Sequence, residues 1–317
     1  MASDSEILRA AIDFEKKRAP MLWDKSQVGA TQADINRLQN EGLIELRHHG
    51  ANLGGGQFGV ALYKVTEKGR VQIASEELFE KVTAADVLEA MTYIVGFDDI
   101  KQTIAYAIEM QKWVHFMLEG PPASVKTSIL QAIRDIVPTA LMVFGSRTSA
   151  RGLVDILLTK RPSILLMDEA DKMRYDVFSL MLGVMESGEI IEAKSGHTSD
   201  TKLNLMVVAA CNSSRKMPPE FLSRFALHAK FPKYNREEFF QVVRSMLSRA
   251  ENCPPELADL ISAQILDNNL GDVRSARGVY KLMKQPTAEE AIRVLRMKAK
   301  YSTGERPVKH TAVGTLI

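Results

Sequence analysis

Four short apolar runs, VHFMLEG, TALMVFG, SILLMDE and LNLMVVAACN, recur between about residues 114 and 212, each separated from the next by a helix-periodic segment. Apolar runs without polar alternation belong to strands buried on both faces, and alternation with helices at this spacing builds a parallel sheet covered on either side. The expected class is α/β. From about 235 onward only helical periodicity remains, in REEFFQVVRSMLSRA, PPELADLISAQIL and DVRSARGVYKLM, which reads as a helical lid.

The first eighty residues form a different pattern: helical SEILRAAIDFEKKRA and TQADINRLQNEGLI, then strand-like IELRHH and FGVALYKVT around the loop GANLGGGQ. Thr31 is a predicted N-cap, with Ile35 and Leu38 on one face of its helix. Two strands and a glycine-rich loop after a helix resemble a winged helix-turn-helix, whose helix at 31–41 would carry Arg37 towards a DNA groove. Acids nearly match the bases here, so protein docking stands as an equal reading, and His48 and His49 read as a solvated strand end. The expected division is 1–75 winged helix, 76–232 α/β core, 233–300 lid and 301–317 tail.

Composition excludes disorder: 45% of the 317 residues are hydrophobic and 25% charged. A net charge of +2 argues for neither nucleic acid nor membrane. Cys211 and Cys253 match no metal or disulfide pattern, and no signal segment or apolar run near eighteen residues is present, so the expectation is a reducing cytoplasm without a membrane partner.

GPPASVKT, residues 120–127, sits between a predicted strand and helix and departs from the phosphate-loop pattern G-x-x-x-x-G-K-[ST] at Val125. Backbone N–H groups of Gly120, Pro121, Pro122, Ala123, Ser124, Val125 and Ser128 (prolines excepted) and the helix N-terminus would surround phosphate. Lys126 would reach the β- and γ-phosphates and Thr127 would bind Mg²⁺. Valine is admissible only if its position already has helical dihedrals. Next, SILLMDEADKM ends a buried strand in Asp168 and Glu169, which suits a metal-holding acid and a base that polarises water. Asp171 is expected to cap the following helix. Asn212 ends the last apolar run, where an amide would orient the same water.

Loop, acid pair, amide and PPEFLSRF succeed one another as in AAA+ ATPases, and residues 94–284 resemble that family. The resemblance implies an ATP and Mg²⁺ site with Lys126 and Thr127 as Walker A, Asp168 and Glu169 as Walker B, and Asn212 as sensor 1. It makes Arg224 an arginine finger serving a neighbouring subunit, and so implies a ring homo-oligomer, with a hexamer expected. Arg274 resembles the sensor 2 arginine, Arg277 being its rival. Ile94, Val95 and Gly96 in IVGFDDIKQTI match the family's base-lining segment.

MESGEIIEAKSGHTSDTKLNLMVV resembles the pre-sensor-1 hairpin of the RuvB, MCM and MoxR branch, read as strands over 189–194 and from 201 around a turn-rich SGHTSD. Lys194 and His197 would face the substrate, and Arg147 and Arg151 in FGSRTSARGL would offer a second basic loop to DNA phosphates. The expected function is an ATP-hydrolysing DNA helicase or translocase; the alternatives are a MoxR-like remodeller with a protein client docked on the winged helix, and a nucleotide-sensing DNA-binding regulator.

Overall fold

The computed structural model describes residues 3–17, 22–48, 60–194 and 197–302. Its N-terminal unit comprises α1 (Asp4–Lys17), α2 (Gln32–Asn40), β1 (Ile44–His48), β2 (Leu62–Val65) and α3 (Glu67–Phe79). Thr31 and Asp34 form a reciprocal capping box at the start of α2. β1 and β2 pair antiparallel, and Trp23 bridges Tyr63 at the hairpin's other side. Ile7, Leu8, Ile35, Leu38 and Trp23 fill a small core of their own. His49 and the loop at 50–57 lie outside the described residues.

α4 (Ala84–Ala90) and α5 (Asp98–Glu109) lead into the larger sheet. There follow β3 (Phe116–Glu119), α6 (Lys126–Ile136), β4 (Ala140–Phe144), α7 (Ala150–Lys160), β5 (Ile164–Asp168), α8 (Tyr175–Ser187), β6 (Glu189–Lys194), β7 (His197–Lys202), β8 (Met206–Cys211), α9 (Pro219–Leu222) and β9 (Leu227–Lys230). Five of these strands form a parallel sheet in the order β4-β5-β8-β3-β9. Every residue of β5 and β8 is buried, because successive side chains enter opposite apolar layers. Ile164, Leu166, Val208 and Ala210 meet α4, α5 and α6, whereas Leu165, Met167, Val207 and Ala209 meet α7 and α8. That two-sided burial is why these strands carry no polar alternation.

α10 (Arg236–Glu251), α11 (Pro255–Asp267), α12 (Val273–Lys281) and α13 (Ala288–Ser302) enclose a fourth apolar cluster. Asn235 opens this helical part with a capping box to Glu238. Among the described residues no helix is long and apolar enough to cross a membrane. Cys211 and Cys253 are both buried and free.

The hairpin differs from the sequence expectation. Its return strand runs from His197 to Lys202, where the expectation had a turn, and Lys194 pairs with His197. Ser, Thr and Asp read as turn residues in isolation, but a six-pair ladder overrides weak local propensity. Leu203 N–H returns to Gly188 O at 2.8 Å, closing the hairpin's base at the amino-terminal end of β8.

Candidate nucleotide site

Because β5, β8 and β3 are consecutive neighbours, their carboxyl ends bring Asp168, Cys211 and Glu119 side by side, with Glu119 in register with Cys211. The crevice outside such strand ends is the usual ligand position in parallel α/β sheets. A cavity of about 280 Å³ there is lined by Pro122, Ala123, Ser124, Lys126, Thr127, Asp168, Glu169, Lys172, Cys211, Asn212 and Arg274. Four separated stretches of sequence therefore meet in one hollow.

The loop after β3 starts at Gly120, where a Cβ would come within 2.8 Å of Phe231 O, so only glycine passes β9. Val125 has φ −59° and ψ −18°, already helical, and its side chain is buried with Ile129 and Leu130. Valine is thus compatible with the loop. The left-handed residue is Ala123, at φ +60°, a conformation that costs an L-residue about 1–2 kcal/mol.

Lys126 Nζ donates to Gly120 O and Pro121 O at 2.8 Å and to Ser124 Oγ at 2.7 Å. Burial pushes its pKa down, Asp168 and Asp171 pulling against that and Arg274 adding to it. Such an ammonium, held by neutral oxygens, is poised to exchange them for an anion. Thr127 Oγ1 donates to Asp168 Oδ2 at 2.9 Å, and Glu169 N–H to Asp168 Oδ1 at 2.8 Å. A hydroxyl and a carboxylate in contact are hard oxygen donors of the kind Mg²⁺ takes.

Glu169, directly after β5, has φ +53°. Gly145 approaches so near that a Cβ would lie 2.3 Å from Glu169 O. Glu169 accepts from Lys172 Nζ and Ser146 Oγ, both at 2.7 Å, and these two contacts hold its carboxyl below the usual carboxylate range. Asp171 does not cap α8: it lies in a short turn at 170–172 and accepts weakly from Asn212 N–H at 3.5 Å. Arg174 holds the N-cap position there without a side-chain bond, because the turn separates Asp171 from the helix start.

Arg274 reaches the cavity from the first turn of α12, whereas Arg277 pairs with Glu251 at 2.9 Å. A second hollow of about 350 Å³ shares Pro122, Ala123 and Ser124 with the first and is closed by Tyr234, Phe239 and Leu266. Burial pushes the Tyr234 hydroxyl up to about 12, Glu238 adding to the effect, so it stays a neutral phenol. Ile94, Val95 and Gly96 line neither hollow; Ile94 packs in the core and its carbonyl accepts from Lys101 Nζ at 2.9 Å.

The remaining sequence candidates lie elsewhere. Arg224 follows α9 and pairs with Glu186 at 2.7 Å. Arg147 is exposed and close enough to Glu169 to lower its pKa, while Arg151 is exposed at the start of α7. Lys194 and His197 face each other across the hairpin register. Arg37 is bound by Asp4 and Asp34 within the N-terminal unit. Sequence reasoning missed Lys172 and Tyr234, which lack motif spacing and gain meaning only from the fold, and grouped Ser146 with the basic loop of Arg147 and Arg151 where it bonds Glu169.

Residues 144–247 match the family described as AAA domain (Cdc48 subfamily). The minichromosome maintenance protein MCM of Saccharolobus solfataricus is 27% identical over 174 residues, covering 42% of this chain and 25% of that protein. The DNA replication licensing factor MCM4 of Oryza sativa is 24% identical over 243 residues, covering 62% of this chain and 27% of its own length. The chain spans about a quarter of the length of these curated relatives. Among solved structures, the RuvB Holliday junction branch migration motor of Thermotoga maritima superposes with a TM-score of 0.51 at 18% identity, covering 64% of this chain and 69% of that one. The Hsp104–ADP complex of S. cerevisiae gives 0.50 at 19% identity, covering 72% and 50%.

A five-stranded parallel sheet between helices, a phosphate loop after β3 and a helical C-terminal part define an AAA+ P-loop module. Residues 144–247 match an AAA domain, the fold is that of the AAA+ P-loop proteins, and the chain is similar to RuvB in structure and to MCM proteins in sequence.

Proposed function

We propose that this chain hydrolyses ATP as one subunit of a ring that moves along DNA. The observation that carries the ATPase reading is the single cavity shared by Lys126, Thr127, Asp168, Glu169, Asn212 and Arg274. Lys126 and Arg274 bind the triphosphate, and the Tyr234 compartment receives the base. Mg²⁺, held through Thr127 and Asp168, supplies charge neutralisation at the phosphates. Glu169, kept ionised by Lys172 and Ser146, polarises the attacking water, and Asn212 orients it.

Arg224 belongs to the neighbouring subunit's site. It precedes β9, which runs parallel to β3, so it stands at the opposite end of the sheet from its own cavity, roughly 13 Å or more away by strand rise. A guanidinium cannot span that gap, and a ring contact supplies what it lacks.

The likeness to MCM and RuvB supports DNA as the substrate, as does the β6–β7 hairpin with Lys194 and His197 near its end. The winged-helix reading of residues 1–75 belongs to this proposal, but Arg37, tied by Asp4 and Asp34, favours a protein-docking role for that unit. ATP turnover measured with single-stranded, duplex and branched DNA across salt concentrations tests the substrate: DNA stimulation that weakens with salt is expected. Stimulation by a protein client alone would replace the DNA motor with a remodelling ATPase.

A further inference from the structure

Beyond Cys211 the chain leaves the β8 ladder, and Asn212 to Ser214 have no strand partner. What holds this segment is a carboxylate from the next strand. Glu119, the last residue of β3 and only 16% exposed at its side chain, accepts from Ser214 N–H at 3.2 Å and Ser214 Oγ at 2.8 Å. His228 on β9 shares a 2.7 Å hydrogen bond with the same carboxylate. Burial pushes the Glu119 carboxyl up, but the two Ser214 bonds and His228 outweigh it and leave it below the usual range.

The backbone of Glu119 is equally committed, since its carbonyl accepts from Phe231 N–H at 2.7 Å and its successor Gly120 donates to Cys211 O at 3.2 Å. The foot of the phosphate loop, the segment after β8 and β9 therefore converge on one residue. Among the described residues the hydrogen bond of Asn212 is that of its backbone N–H to Asp171 Oδ1 at 3.5 Å, too long to fix the segment. Ser214, two residues on, is the nearest firm anchor on its carboxyl side.

We infer that Glu119 is a positioning residue for hydrolysis: by gripping Ser214 it holds Asn212 facing the cavity in the orientation that places the attacking water. This rests on the ATPase reading and extends it to a residue that does not touch the nucleotide. Lys126, Thr127 and Arg274 do not depend on Ser214, so losing the grip leaves ATP binding intact and slows the chemical step alone. A hydrogen bond to a charged acceptor is strong enough that its loss slows turnover about tenfold.

The test compares Ser214→Ala, Ser214→Thr and Glu119→Gln for kcat, KM and equilibrium ATP affinity in Mg²⁺, with Asn212→Ala alone and combined with Ser214→Ala. Ser214→Ala and Glu119→Gln should lower kcat about tenfold with ATP affinity within about twofold of the wild type, and Ser214→Thr should restore turnover. In the Asn212→Ala background Ser214→Ala should add nothing, because the side chain it positions is already gone. Unchanged kcat in Ser214→Ala, a parallel loss of ATP affinity, or additive losses in the double variant would each overturn the inference while leaving the ATPase reading standing. A wild-type chain without turnover would overturn both.

Discussion

Thr127 Oγ1 donates to Asp168 Oδ2 across 2.9 Å, joining the first turn of α6 to the end of β5. That bond spans two motifs separated by forty residues of sequence and marks where a divalent cation would be shared. Asp168→Asn is expected to keep the fold, because an amide still accepts from Thr127, and to reduce Mg²⁺-dependent turnover by roughly 10²-fold. Steady-state kinetics over a Mg²⁺ titration check this; an unaltered Mg²⁺ dependence would remove Asp168 from the metal site.

The phosphate loop predicts opposite outcomes for two substitutions to glycine. Val125 is helical and buried, so Val125→Gly removes apolar packing and is expected to cost roughly 2–3 kcal/mol without improving ATP affinity. Ala123 is left-handed, so Ala123→Gly is expected to stabilise by about 1 kcal/mol. Thermal and denaturant unfolding with and without ATP separate the two.

Arg224 and its distance from the subunit's own site predict complementation. Arg224→Ala is expected to lower kcat by about 10³-fold with ATP affinity preserved, and Lys126→Ala to abolish binding. Mixed together, the two variants should recover activity, since Arg224 of one meets Lys126 of the other. Mixtures no more active than the separate variants would place Arg224 outside the trans role.

Much of this was legible in the sequence because the chemistry is local to strand ends. A buried strand ending in two carboxylates has few structural excuses, and β5 bears the acids of SILLMDE at the sheet's carboxyl edge. The dihedrals of Val125 were not legible, since a consensus records side chains and not the residue at which a loop turns left-handed. The sequence favoured Arg274 on resemblance alone; why Arg277 stays out of the cavity depends on how α12 faces the core. The hairpin's return strand was hidden by polar residues whose pairing comes from the opposite strand. Glu119 and Ser214 were invisible as a pair because they lie ninety-five residues apart.

The junction between the N-terminal unit and the core was also unforeseen, and it carries a pH dependence. Arg161, at the end of α7, pairs with Asp4 at 3.1 Å and Glu41 at 2.5 Å, all three largely buried. Arg161→Ala leaves the buried Glu41 without its cation and Asp4 with Arg37 alone, and is expected to cost roughly 3 kcal/mol. Burial raises the Glu41 pKa, against the pull of Arg161, so the folded chain binds a proton there more readily than the unfolded chain. That contribution is full below the ordinary carboxylate pKa and is lost as pH rises through the raised value. Wild type is therefore expected to gain stability relative to Glu41→Gln as pH falls through this window, measured by denaturant unfolding at several pH values.

Everything proposed for this chain depends on its cavity holding a triphosphate, and equilibrium ATP binding in Mg²⁺, measured by calorimetry on wild type, Lys126→Ala and Glu169→Gln, tests that directly. Wild type and Glu169→Gln should bind alike while Lys126→Ala binds no nucleotide. Wild type without affinity for ATP, or Lys126→Ala binding as tightly as wild type, would contradict the account.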